Sequence, residues 1–244
     1  MEISLPLDDG ELWAKVWRAD ITGVSGHVVP VYFLDTFHPK NSEKHLELGL
    51  TLYGGDDWVR IRQEYLLGVG GLRLLDKLGL EVDGLHLNEG HCTFALLEML
   101  GKGWSREQLA KRVLFTTHTP VPAGHDRFEW EAVEEVLGDL LPADAKQLVI
   151  DAGDPEEGRR ISMSHLAVAL SGPVNAVSNL NAWVASSMFA DHHIAPITNG
   201  VHHITWTSPM MADLFDKQLP GWREDPTKLA HAGKIPTEDL AGAR

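Results

Sequence analysis

The chain has 244 residues, 43% of them hydrophobic and 23% charged, so it can bury a sizeable core without disulfides or a structural metal. Its formal net charge of −14 repels phosphate backbones and anionic lipid surfaces, which argues against nucleic-acid and membrane partners. No window approaches the ~18 apolar residues of a membrane span, and the single cysteine, Cys92, fits a reducing, cytoplasmic setting.

Residues 1–10 have neither the basic start nor the apolar stretch of a signal peptide. Residues 11–18 and 28–34 are rich in Val, Trp, Tyr and Phe and predict an N-terminal β-hairpin turning at Gly23 and Gly26. Residues 35–55 hold Pro39, Asn41 and Gly54-Gly55 and read as a loop. The stripe Val59, Tyr65, Leu66, Val69, Leu72 and Leu75 predicts one helix over 57–78. Gly68, Gly70 and Gly71 interrupt it. Each costs a helix interior about 0.5–1 kcal/mol relative to Ala, which points to a close backbone approach. No strand leads into this glycine run, and Arg73 stands where a dinucleotide fingerprint needs its third Gly.

A strand at 85–87 then leads into a helix running to about residue 100. Ser105-Arg106-Glu107-Gln108 is a capping box opening a short helix, and a strand follows at 113–117. An acidic helix is expected over 129–141, a weakly patterned peripheral stretch over 143–157, and a helix from Ser162 to Leu170, ended by Gly172-Pro173. A strand at 174–178, a helix near 180–189 and a strand at 194–198 come next. Ser208-Pro209 starts a helix to about Leu219. The last stretch is polar, with no closing element expected.

This alternation predicts a parallel sheet flanked by helices. Four of its segments share one build, an apolar run that ends in polar, His- or Asn-rich residues. They enter Asn88-Glu89-Gly90-His91, Thr116-Thr117-His118-Thr119-Pro120, Ser178-Asn179 and Thr198-Asn199-Gly200-Val201-His202. Ligands bind at the carboxyl ends of parallel strands, so the pattern predicts one surface assembled from four strand ends. Its uncharged-polar, His-rich character suits a hydroxyl-rich ligand.

His118 is the leading candidate, in a loop that Pro120 and Pro122 constrain. Glu89 opens a helix, where the dipole favours a carboxylate, and Asn88 and His91 add a polar rim. Asn199-Gly200 fits either a turn or a ligand-facing amide. No His-x-x-x-His pair or Cys-rich spacing supports a metal. Cys92 sits in a packing run and reads as structural rather than nucleophilic.

Together, Leu85-His86-Leu87-Asn88-Glu89-Gly90-His91, Phe115-Thr116-Thr117-His118-Thr119-Pro120-Val121-Pro122-Ala123-Gly124-His125-Asp126 and Thr198-Asn199-Gly200-Val201-His202 resemble the α-glucan (glycogen/maltodextrin) phosphorylases, in their divergent bacterial branch. Leu52-Tyr53-Gly54-Gly55-Asp56, Arg60-Ile61-Arg62-Gln63-Glu64 and Trp222-Arg223-Glu224-Asp225-Pro226 fit as well. The resemblance implies a two-domain Rossmann-like (GT-B) glycosyltransferase fold. Residues 1–244 would then be part of its N-terminal, glucan-binding domain. It implies phosphorolysis of α-1,4-glucan ends by inorganic phosphate to glucose 1-phosphate, with pyridoxal phosphate as cofactor. His118 matches the family histidine that bonds the sugar 6-hydroxyl, and Asn199 the asparagine that shares it. Glu89 and His91 match residues beside the sugar, and Asn88 and Thr119 join them as substrate-binding positions.

The family's cofactor lysine motif and basic phosphate-binding residues have no match here. The isolated chain is therefore expected to lack phosphorylase activity, or to need a complementary C-terminal chain. Ala176 and Asn181 stand where the family usually has Gly and His. The alternatives are a non-catalytic glucan-binding module, half of a split enzyme, and a metal-dependent hydrolase built on the histidines.

Overall fold

The computed structural model describes every residue except 24, 52–54, 154–158 and 243–244. Leu52, Tyr53 and Gly54 of the family-like run, Glu157, and the terminal Ala243 and Arg244 lie outside the described residues. The chain forms two units, Met1–Thr198 and Asn199–Arg244.

The first unit opens with β1 (Glu2–Leu7), β2 (Gly10–Thr22) and β3 (Val28–Asp35), an antiparallel three-stranded sheet. The predicted hairpin is thus the second and third strands of a meander. β1 has no counterpart among the predicted elements. Its Ile3 and Leu5, with Leu12 and Ala14 of β2, face the core. A short helix, α1 (Glu43–Leu46), capped by the Ser42 side chain, lies inside the expected loop.

The predicted long helix runs as α2 (Asp57–Tyr65), a π-helical turn (Leu66–Gly70) and α3 (Gly71–Lys77). The glycines explain the turn. A Cβ on Gly68 would sit 2.5 Å from the Ala95 nitrogen and 2.8 Å from the Phe94 carbonyl carbon. Only a bare Cα lets this turn press against α4 (Phe94–Gly101). Tyr65 packs edge-on to Phe94 at 5.9 Å and donates to the Pro6 carbonyl at 3.0 Å. Arg73 grips the buried Glu98 of α4 with two hydrogen bonds, 2.9 and 3.1 Å long.

The central sheet is parallel, in the order β4 (Leu85–Asn88), β5 (Val113–Thr117), β8 (Val174–Ala176) and β9 (Ala195–Pro196). These are the four predicted strands, and within the first unit their carboxyl ends lie along one edge; residues Asn199–His202 fall in the second unit. The helices around them are α5 (Arg106–Arg112), with its capping box, α8 (Met163–Leu170) from the Ser162 cap, and α9 (Asn179–Met188) from the Ser178 cap. α6 (Trp130–Leu137) is the acidic helix. The stretch expected to be peripheral folds as α7 (Ala143–Ala152), with Val149 fully buried. β6 (Arg127–Glu129) and β7 (Arg160–Ser162) form an unpredicted two-stranded ribbon.

The second unit holds α10 (His203–Trp206), α11 (Pro209–Gln218), a 3-10 stretch (Pro226–Lys234) and α12 (Thr237–Gly242). The polar tail therefore does close on something. Trp222 is fully buried against Phe215 and His203, and its indole N–H donates to Asp216 at 2.8 Å. No helix among the described residues is long and apolar enough to cross a membrane.

Gly68→Ala is expected to destabilise the protein by about 1–3 kcal/mol through overpacking. Gly71, where a Cβ would meet nothing within 4 Å, is the control. Gly71→Ala should be neutral or add up to about 1 kcal/mol. Urea unfolding of both variants checks the pair, and equal stabilities would contradict the close-approach account.

Candidate functional site

At the carboxyl edge of β4 and β5 lies a hollow of about 600 Å³, within the range of small-molecule sites. Asn88, Glu89, His91, His118 and Thr119 all line it, joined by Arg60 and Asp126. Five of the six residues predicted to bind substrate or act on it are therefore neighbours in space. The sixth, Asn199, begins the second unit and is exposed.

Glu89 organises this edge. Its φ is 66° and its ψ 177°, and it has the one positive φ outside glycine among the described residues. That region is almost reserved for glycine and costs about 1–3 kcal/mol. The expected dipole role is not what the carboxylate performs. Glu89 precedes a 3-10 turn (Gly90–Cys92) and makes no capping bond to it. Instead one oxygen, Oε1, accepts from the His118 N–H, from the Thr119 N–H at 2.8 Å and from the Thr119 hydroxyl at 3.0 Å. The end of β4 thus holds the end of β5.

Two further contacts fix the same loop. The His118 carbonyl accepts from Asn181 Nδ2 at 3.2 Å. The Thr119 carbonyl lies 3.2 Å from His125 Nε2, whose Nδ1 is 2.8 Å from Ser164 Oγ. Behind the loop a polar chain crosses three strands. Thr116 Oγ1 donates to Asn175 Oδ1 at 2.7 Å, so His86 Nε2, 2.7 Å from Thr116 Oγ1, must be the donor there.

Sequence reasoning missed the charged group at the rim. Arg60 and Glu64 lie one turn apart on α2 and face His91 and Asp126. Arg60 Nη2 bonds Asp126 directly, and His91 Nδ1 lies 3.4 Å from the same carboxylate oxygen. Burial pushes the Glu64 carboxyl up to about 8, helped by the neighbouring Asp126. Hydrogen bonds to Asp126 and then Glu64 raise His91 to about 9. Burial opposes ionisation of Asp126, but bonds from His91, Glu64 and Arg60 outweigh it and hold that carboxyl well below the usual range. At neutral pH Glu64 is therefore an uncharged acid, despite lying 3.5 Å from Arg60. The two cations, Arg60 and His91, face the two anions, Asp126 and Glu89. The i, i+4 spacing of Arg60 and Glu64 was the available signal, but nothing local tied it to residue 126.

Glu64, His91 and Asp126 offer donor atoms all within 4.8 Å of one another, a spacing that a cation could bridge. The Arg60 guanidinium already supplies positive charge at that point. Burial pushes the Cys92 thiol up to about 11, which suits a packed thiol and not a nucleophile. A larger hollow of about 820 Å³ is lined by Arg106, Arg127, Asp151, His165 and Phe189 among others. It contains none of the predicted site residues and shares only His125 with the network behind the loop.

No protein-family model matches the sequence. Curated proteins do. The chain is 34% identical over 242 residues to the maltodextrin phosphorylase of Thermococcus litoralis, a match covering 91% of this chain and 28% of that protein. It is 32% identical over 246 residues to the glycogen phosphorylase of Mycobacterium tuberculosis (88% and 28%), and 31% over 232 residues to that of Aquifex aeolicus (86% and 32%). The chain thus spans about three tenths of the length of these relatives.

The His91 cluster makes stability depend on pH. A pKa raised from 6.5 to about 9 on folding gives a contribution fully present below 6.5 and lost as pH rises through 9. Wild type should therefore exceed His91→Gln in stability at pH 6 by more than at pH 9.5. Urea unfolding at the two pH values measures this, and a constant gap would exclude a charged His91.

Proposed function

The chain belongs to the α-glucan phosphorylase family, and from that premise we propose that its hollow is a glucosyl subsite for the non-reducing end of an α-1,4-glucan. The convergence of Asn88, Glu89, His91, His118 and Thr119 on one sugar-sized space is the observation that carries this reading. The charge balance supports it further. With Arg60 and His91 matched by Asp126 and Glu89, the hollow suits an uncharged polyol better than a phosphate ester.

In this reading the His118 imidazole bonds a sugar hydroxyl, from a backbone held on both sides by Glu89 and Asn181. Glu89 acts mainly through that backbone, with one oxygen committed to three protein donors. Asn88, His91 and the Thr119 hydroxyl complete the polar wall. Asn199 is proposed as a further hydroxyl-binding amide on the family resemblance alone. Polar groups that a bound sugar covers discriminate against ligands lacking the matching hydroxyl, because each is then left unpaired.

Pyridoxal phosphate supplies proton transfer through its phosphate in such phosphorylases. The described residues do not fit it: no lysine is buried among them, and none lines either hollow. The whole enzyme's activity, phosphorolysis of glucan by inorganic phosphate, accordingly needs residues beyond those described. Residues 1–244 are read as part of the N-terminal, glucan-binding domain. With no lysine buried among the described residues, a second reading is that residues 1–244 bind glucan and a complementary chain completes the enzyme.

Maltotriose is expected to bind the 244-residue chain, and His118→Ala to weaken binding about tenfold, the upper end for one neutral hydrogen bond, with little change in thermal midpoint. Equal affinity of the two proteins by calorimetry would refute the assignment. Incubated with maltoheptaose and phosphate, the chain should release no glucose 1-phosphate. Its appearance in a coupled assay would show that no complementary chain is needed.

A further inference from the structure

Asn181 is 7% exposed and sits in the first turn of α9. Its side chain makes two hydrogen bonds of opposite sense. Oδ1 accepts from the Val177 N–H at 3.2 Å, and Nδ2 donates to the His118 carbonyl at 3.2 Å. Its own N–H donates to Ser178 Oγ at 3.1 Å, the cap of α9. The first bond sets the orientation of the amide. Flipped, it would turn Oδ1 toward a carbonyl oxygen and Nδ2 toward an N–H. One buried carboxamide therefore ties the end of β8 to the end of β5. Its bond meets the His118 peptide on the side opposite to the Glu89 carboxylate.

We propose that Asn181 is a positioning residue for the hollow: through the His118 carbonyl it sets where the residue 118 side chain stands against the ligand. That ligand is a glucan end on the reading above, whereas the clamp itself is a property of the unliganded fold. Leucine at 181 keeps the volume and loses both bonds. Histidine keeps both functions, because a neutral imidazole accepts on one nitrogen and donates on the other.

The test compares wild type, Asn181→Leu and Asn181→His, each as the 244-residue chain. Hydrogen exchange is followed by mass spectrometry in peptides covering 115–121, with α4 as internal reference, and maltotriose affinity is measured by calorimetry. Asn181→Leu should speed exchange in 115–121 by about tenfold, leave α4 unchanged, and weaken maltotriose about tenfold. Asn181→His should restore both to within about threefold of wild type. A leucine variant that exchanges and binds like wild type overturns the proposal. So does a histidine variant no better than leucine, since returning an acceptor and a donor to position 181 would then fail to restore the loop. Failure of wild type to bind maltotriose would count against the glucan reading, and the exchange comparison would still decide the clamp.

Discussion

One carboxylate oxygen holds the functional edge together. Glu89 Oε1 gathers two backbone N–H groups and a hydroxyl from the loop after β5. Hydrogen bonds to a charged group contribute about 1.5–3 kcal/mol each. The backbone at φ 66° costs about 1–3 kcal/mol. The three bonds outweigh the strain, so the unusual conformation persists. It persists in a glutamate because the side chain, and not conformational freedom, is what the position needs. A glycine here would relieve the strain and release the loop.

That staple works only because the elements behind it are rigidly placed. The strands of the parallel sheet are two to five residues long, too short to define an edge by themselves. Precision comes from cross-strand polar links, His86 to Thr116 to Asn175 and Asn181 to His118. The helical layer adds the rest. Gly68 lets the π-helical turn press on α4, and α2, continuous with that turn, carries Arg60 and Glu64 to the rim. A packing glycine and two charged residues four and eight positions before it are thus one structural device.

Much of this was legible in the sequence, and the failures have physical causes. The four strands and the helices capped by Ser105, Ser162, Ser178 and Ser208 carry their signals locally, in alternating apolar runs and in side chains that accept from the first-turn N–H groups. α7 has no such cap, since Pro142 precedes it, and its apolar pattern is weak. β1 is interrupted by Pro6 and is a strand only because β2 pairs with it. The ribbon of β6 and β7 joins residues more than thirty positions apart. At the site, residue types at strand ends pointed to His118 and Glu89. They could not reveal that the Glu89 carboxylate faces its neighbour's backbone, because that depends on a dihedral angle that sequence rules assign to glycine. The Arg60–Glu64–His91–Asp126 group was invisible for another reason. It exists only where α2 meets two separate loops.

The division of labour inside the hollow follows from these constraints. Charges are present, yet they are spent on each other: Asp126 binds Arg60 and His91, and Glu64 is held uncharged by burial. What remains to face a ligand is mainly an imidazole, an amide, a hydroxyl and backbone fixed in place. Such groups contribute little net attraction in water, because each exchanges one hydrogen bond for another. They penalise heavily any ligand that leaves them unpaired. On the proposed reading as a glucosyl subsite, the hollow would recognise hydroxyls by position more than attract them by charge. In a chain of net charge −14, such a hollow suits a neutral ligand better than a free anion.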